Sequence, residues 1–172
     1  MPVSVVQQCR HVRVDRVALA RHGRAVLKAC GRSRGVVDVQ LVDDAAIAEI
    51  NEEWRGIAAV TDVLSFALQE GEAMPGTEEL LGDVVISLDT ARRQAAALER
   101  AWQRSTGDAA CGYGVQEEAA FLLTHGILHL LGYDHMRAAE AEVMEALERT
   151  LMAPLTAAPV HGLDRSDHAP TS

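Results

Sequence analysis

The run Phe121-Leu122-Leu123-Thr124-His125-Gly126-Ile127-Leu128-His129-Leu130-Leu131-Gly132-Tyr133-Asp134-His135 places three histidines within eleven residues. A step of four residues along a helix returns to within about 40° of its start, so His125 and His129 stand one turn apart on one face. Phe121, Leu122, Leu123, Leu128 and Leu131 fix the opposite face in a core, which makes this a central helix. Gly132 follows His129 by three residues, where glycine ends a helix in the left-handed conformation without strain. The turn after it lets His135 swing back to the same point. Two imidazoles one turn apart and a third on the next turn form the donor set of a metal site with one cation per chain.

Three neutral imidazoles leave one coordination position open, as in a catalytic zinc centre that lowers the pKa of its water to about 7. A structural zinc would want a fourth protein ligand, for which Cys111 and Asp134 are the nearby candidates. Asp134 has two readings that the sequence leaves open. It is a carboxylate that accepts the second N–H of a ligating imidazole, or it is a turn residue in its Gly-Tyr-Asp setting. The spacing H-x-x-x-H-x-x-G-x-x-H is shared with metzincin proteases, whose first histidine is followed by a glutamate general base. Here Gly126 stands at that place and cannot accept a proton.

Outward from this helix, the pattern alternates. Val3–Gln7, or the alternating Cys9–Val14, reads as a strand, and an amphipathic helix follows from about Asp15 to Cys30, stopped by Gly31. The β-branched run Val36–Val42 is a strand, and Asp43 and Asp44 are N-cap candidates for a helix reaching Trp54. Thr61–Leu68 and Leu81–Leu88 read as two more strands, separated by a Gly- and Glu-rich loop from Glu70 to Glu79. Asp89 is expected to cap a helix through Arg100, with a loop from Trp102 to Gly114. Gln116–Leu131 and Met136 to about Met152 are the last helices. This order gives an α/β (α+β) protein, a mixed sheet packed with helices, as one domain over residues 1–153. Residues 154–172 carry three prolines and no apolar period and read as a disordered tail, so His161 and His168 are discounted as ligands.

With 172 residues the chain suits one core. It has no long apolar run and no basic-then-apolar leader, so neither a membrane span nor a secretory signal is expected and the location reads as cytoplasmic. Cys9, Cys30 and Cys111 form no C-x-x-C pair, so disulfide frameworks and thiolate ribbons are set aside and all three read as buried small side chains. The net charge is -9, yet residues 1–40 carry eight basic residues against Asp15 and Asp38. One end is thus able to meet a polyanion, although Arg13, Arg16, Arg24 and Lys28 recur at helical spacing and equally describe a solvated helix face.

His125–His135, with the pattern H-G-x-L-H-L-x-G-Y-D-H, resembles the signature of the YbeY family of bacterial endoribonucleases. Two further motifs carry the resemblance: Asn51-Glu52-Glu53-Trp54-Arg55-Gly56 leading to Thr61-Asp62-Val63-Leu64-Ser65-Phe66, and Leu81-Gly82-Asp83-Val84-Val85-Ile86-Ser87. Order and spacing agree from about residue 36 to 152. The resemblance implies a mixed four-stranded sheet, a zinc held by His125, His129 and His135, and cleavage of single-stranded RNA. It also implies a part in 16S rRNA maturation, including the 3′ end, and in ribosome quality control, with the small ribosomal subunit and its assembly proteins as partners and no DNA. Arg55 matches the family's functional arginine. The chain departs from the family pattern at Ile57-Ala58-Ala59-Val60 before the T-D-V segment and at Ala67 after Ser65-Phe66.

The implied chemistry is metal-assisted phosphodiester hydrolysis, with Arg55 giving a charge-assisted contact to the phosphate. On spacing alone Arg55 reads as a cation that complements a helix C-terminus, and only the resemblance turns it toward the phosphate. Tyr133 reads as packing, Asp62 and Ser65 as residues that shape the cleft, and Glu117 and Glu118 as acids that stabilise the start of the histidine helix. Two alternatives stand beside the nuclease: a ribosome assembly factor in which zinc only stabilises the fold, and a metzincin-like zinc hydrolase.

Overall fold

In the computed structural model, residues 2–68, 79–107, 111–134 and 136–161 are described. Two aspartates start the first two helices. Asp15 accepts the Ala18 N–H ahead of α1 (Arg16–Ala29), and Asp43 accepts the Ala46 N–H ahead of α2 (Asp44–Arg55). The strands β1 (Val3–Gln7), β2 (Gly35–Val42), β3 (Val63–Ala67) and β4 (Glu79–Ser87) form one sheet in the order β1-β2-β4-β3. β1, β2 and β4 run parallel and β3 runs antiparallel to β4, so the sheet is mixed, as expected. Three helices follow: α3 (Leu88–Thr106), α4 (Val115–Leu130) and α5 (Ala138–Met152).

Alternation along the strands divides their side chains between two cores. Val37, Val39, Leu41, Val84 and Ile86 face the main cluster with α1 and α4, while Val42, Leu64 and Val85 join Ile47 of α2 in a smaller cluster. α4 packs against α1, α3, α5, β3 and β4 and is buried on nearly every side. Leu122, Leu123, Ile127 and Leu128 are each at most 2% exposed, and burying each stabilises the fold by about 1.5–3 kcal/mol.

Two glycines let the layers close. A Cβ on Gly126 would lie 2.7 Å from Val84 Cγ1, so its absence lets α4 rest directly on the sheet. Gly82 follows a register shift in which Val36 pairs with Leu80 and Val37 with Gly82. Leu81 turns into the core at this bulge, and Gly82 adopts φ 143°.

Four sequence expectations change. Ser87, not Asp89, caps α3, its side chain accepting the Thr90 N–H, because β4 runs unbroken to Ser87 and leaves Asp89 inside the first turn. α3 also continues to Thr106, six residues beyond Arg100, where Gly107 ends it at φ 70°. The third change is at the C-terminus: Ala158 and Val160 are buried in the main cluster, so residues 154–161 pack on the core and the expected tail does not begin at 154. Residues 162–172, with His168, lie outside the described residues, as do 69–78 in the loop expected between the last two strands. Arg13 precedes α1 and so does not share its face.

One buried histidine makes stability depend on pH. His22 of α1 meets Thr124 Oγ at 2.7 Å, and that hydroxyl donates to the Ala120 carbonyl, so the imidazole is the donor through Nε2–H. Burial lowers its pKa to about 4. The unfolded chain therefore binds this proton first as pH falls, and native stability decreases from about pH 6.5 down to about pH 4, by roughly 3 kcal/mol. Denaturant unfolding of wild type and His22→Leu across that range checks it, and the variant should lose this part of the acid sensitivity.

Candidate metal centre

α4 ends as the sequence reading expects. The Gly132 N–H donates to the His129 carbonyl and the Tyr133 N–H to the Leu128 carbonyl, each at 3.0 Å, while Gly132 takes φ 95°. These two bonds complete the left-handed stop and turn the chain away from the helix axis. His125 Nε2 and His129 Nε2 face each other at 3.1 Å, with the rings edge to face and their centroids 4.6 Å apart. His135 lies outside the described residues.

The carboxylate behind His125 comes from α5. Glu148 Oε2 is 3.1 Å from His125 Nδ1, and Glu148 is only 2% exposed. Burial pushes its carboxyl up, but hydrogen bonds from His125 and His161, and the positive charge of these imidazoles when protonated, more than offset this and bring its pKa to about 2. An ionised acceptor at Nδ1 holds the imidazole proton there, which leaves the Nε2 lone pair pointing toward His129. His161 Nε2 stands 3.5 Å from the other Glu148 oxygen, and its ring meets Phe121 edge-on at 5.5 Å. His125, Glu148, His161, Phe121, Met144 and Asp62 line a cavity of about 250 Å³. His125 and His129 are thus oriented as a divalent cation requires of two ligands on one helix.

The remaining sequence candidates take definite places. Asp134 accepts the Met136 N–H at 3.2 Å, a bond of the turn type. Cys111 donates its thiol hydrogen to Glu99 of α3 at 2.7 Å. Glu117 and Glu118 are in the first turn of α4. Asp62 accepts from the Val63 N–H and from Gln94, bracing the start of β3. Arg55 is the last residue of α2, before Gly56 at φ 70°. Its guanidinium lies 5.8 Å from the Phe66 ring centre and donates to the Ser65 carbonyl at 3.4 Å. The Ser65 hydroxyl in turn donates to the Gly126 carbonyl at 3.2 Å, so one residue of β3 touches both the arginine and the histidine helix. Buried Asn51 donates to the Ala59 carbonyl and ties down the loop after α2, which accounts for the asparagine of that motif.

Sequence reading missed Glu148, although a signal existed. Met144, Glu148 and Met152 recur every four residues and are all buried, and an acid on an apolar stripe needs a partner. It also missed a group of donors elsewhere: Cys9, His11 and Asp89 offer Sγ, ring nitrogen and carboxylate oxygen, all within 4.8 Å of one another. Burial raises the Cys9 thiol, and the Asp89 and Asp43 carboxylates push it further.

The fold and these imidazoles place the chain among α+β proteins that present a histidine pair on a helix packed against a mixed sheet. The sequence profile described as Endoribonuclease YbeY matches residues 6–156, and the chain belongs to that family. An Endoribonuclease YbeY of Pelotomaculum thermopropionicum is 44% identical over 161 residues, covering 90% of this chain and 97% of the relative. One from Moorella thermoacetica is 45% identical over 139 residues, covering 74% and 81%. A solution structure from Thermotoga maritima matches with TM-score 0.49 and 21% identity, covering 88% of this chain and 90% of that one.

Proposed function

We propose that the chain is a zinc-dependent endoribonuclease that hydrolyses phosphodiester bonds in single-stranded rRNA. The reading places it in the cytoplasm, in 16S rRNA 3′-end maturation and ribosome quality control, with the small ribosomal subunit and its assembly proteins as partners. Its relatives carry the name endoribonuclease. Among the described residues no helix is long and apolar enough to cross a membrane. The observation that carries the proposal is the His125–His129 pair backed by buried Glu148, with Arg55 one residue of β3 away.

A zinc held by His125, His129 and His135 would supply Lewis-acid polarisation of the phosphate and an activated water. Glu148 keeps the His125 proton on Nδ1, so Nε2 is available as a ligand without a proton to lose. Among the described residues Arg55 makes one long bond to a carbonyl and has an aromatic face beneath it, an arrangement in which several of its five donors can meet a phosphate as charge builds. Arg10, Arg13 and Arg16 surround a separate cavity of about 450 Å³ and add positive charge for a polyanion. The metzincin-like alternative loses support at Gly126. A Cβ there meets Val84 and Ser65, so this position has no room for a glutamate base.

The test is zinc content and cleavage of a single-stranded rRNA fragment, measured on wild type, His129→Ala and Arg55→Ala. His129→Ala should lose the zinc of the α4 centre, about one equivalent per chain, together with cleavage while remaining folded. Arg55→Ala should keep its zinc and cleave about tenfold more slowly, the equivalent of one charge-assisted hydrogen bond. Full activity in Arg55→Ala would remove its role, and wild type that holds zinc without cleaving would favour the assembly-factor reading.

A further inference from the structure

We propose that Cys9, His11 and Asp89 form a second divalent-cation site, of the zinc class, at the carboxyl ends of the parallel strands and separate from the histidine centre on α4. Sulfur, imidazole nitrogen and carboxylate oxygen converge there within 4.8 Å. That mixture of borderline-soft donors suits zinc and its congeners better than magnesium or calcium, which prefer all-oxygen shells.

The surrounding chain holds the three donors together. The Cys9 N–H donates to the Leu41 carbonyl at 3.2 Å, and the Gln7 side-chain amide donates to the Cys9 and Val12 carbonyls at 2.6 and 2.8 Å. These bonds pin the loop that follows β1, which brings Cys9 Sγ within 3.6–3.7 Å of both ring nitrogens of His11. Asp89 is fixed from the other side, because its Oδ2 accepts the Asp44 N–H at 3.1 Å while Oδ1 meets His11 Nε2 at 2.6 Å. A carboxylate with one oxygen tied to backbone and the other turned toward the cluster has the outer-shell support that orients a metal ligand. Arg92 Nη2 reaches Asp89 Oδ1 only at 4.0 Å and is exposed, a pairing that contributes little.

Exposure gives the site a closed side and an open one. Cys9 is 3% exposed, whereas the His11 side chain is 55% exposed, so a cation enters from solvent and keeps water as its fourth ligand. As the metal–sulfur bond forms, the thiol proton leaves to solvent. The imidazole stays neutral, carrying its N–H on the nitrogen away from the cation. The position, where β1, β2 and β4 end, is also where open parallel sheets bind their ligands.

Cobalt(II) titration of the full chain, reduced with a phosphine, tests this independently of the α4 centre. A thiolate ligand adds a near-ultraviolet sulfur-to-cobalt charge-transfer band that imidazoles alone do not produce. Wild type should show the band and lose it on adding zinc. Cys9→Ser should abolish it, His129→Ala should retain it, and Asp89→Asn, which preserves the acceptor for the Asp44 N–H, should weaken cobalt binding about tenfold or more. Three results would each overturn the proposal: no band in wild type, a band that survives in Cys9→Ser and so arises from Cys30 or Cys111, or a band lost in His129→Ala. Unchanged affinity in a folded Asp89→Asn would do the same for the carboxylate.

Discussion

Gly82→Ala lowers the thermal midpoint by about 10 °C or more, corresponding to roughly 3–5 kcal/mol in a protein of this size. Two costs combine. A Cβ at this position would lie 2.1 Å from the Phe66 carbonyl oxygen and 3.0 Å from Leu130 Cδ2, and the backbone at φ 143° is one that side-chain-bearing residues rarely adopt. The oxygen belongs to the backbone of β3, so relief requires β3 and β4 to separate at the point where Ala67 pairs with Gly82. Differential scanning calorimetry checks the shift. An unchanged midpoint would mean that the bulge at Leu81 relaxes without cost. Gly126→Ala serves as a milder comparison, because its new methyl meets the movable side chain of Val84 rather than backbone.

Glu148→Gln weakens zinc binding by between about 10-fold and 100-fold, with cleavage falling in parallel at limiting zinc. The amide is nearly isosteric but removes the charge that keeps the imidazole proton on Nδ1. It can also turn its NH₂ toward that nitrogen, which favours the tautomer whose Nε2 carries a hydrogen and cannot ligate. Competition with a chromogenic chelator gives the affinity, and cleavage restored at excess zinc would separate a ligand-orienting role from a direct one. Equal affinity in the two proteins would show that Glu148 is only a buried acid balanced by His125 and His161.

Much of this architecture is legible in the residues, and the failures have physical causes. Runs such as Val36–Val42 read as strands because β-branched residues suit a half-buried pleat, and Asp15, Asp43 and Gly132 mark helix ends through local bonds that need no tertiary partner. The His125–His129 pair follows from helical period alone. Glu148 is 23 residues from the histidine it orients, and only the packing of α5 on α4 brings them together. Asp134 is the carboxylate next to the third histidine in sequence, whereas Glu148 reaches His125 from another helix. In sequence Gly126 shows only the absence of a base, whereas its position reflects a helix lying directly on Val84, a contact that a single sequence does not reveal. At the start of α3, Ser87 and Asp89 are both good capping residues, and the choice depends on where the strand hydrogen bonds stop. Ala158 and Val160 are too few to show a period, yet they find a place in the core.

The strand order also governs how the chain reaches this structure. β2 and β4 are neighbours in the sheet, but α2 and β3 are synthesised between them, and β3 finds its antiparallel partner only once β4 exists. The parallel β1–β2 and β2–β4 pairings thus close long loops before any energy is returned, which favours refolding in milliseconds or longer over the microseconds of helical bundles. Until β4 arrives, the valine-rich edge of β2 stays open to strands of other chains, so dilute conditions should raise the yield of refolded protein.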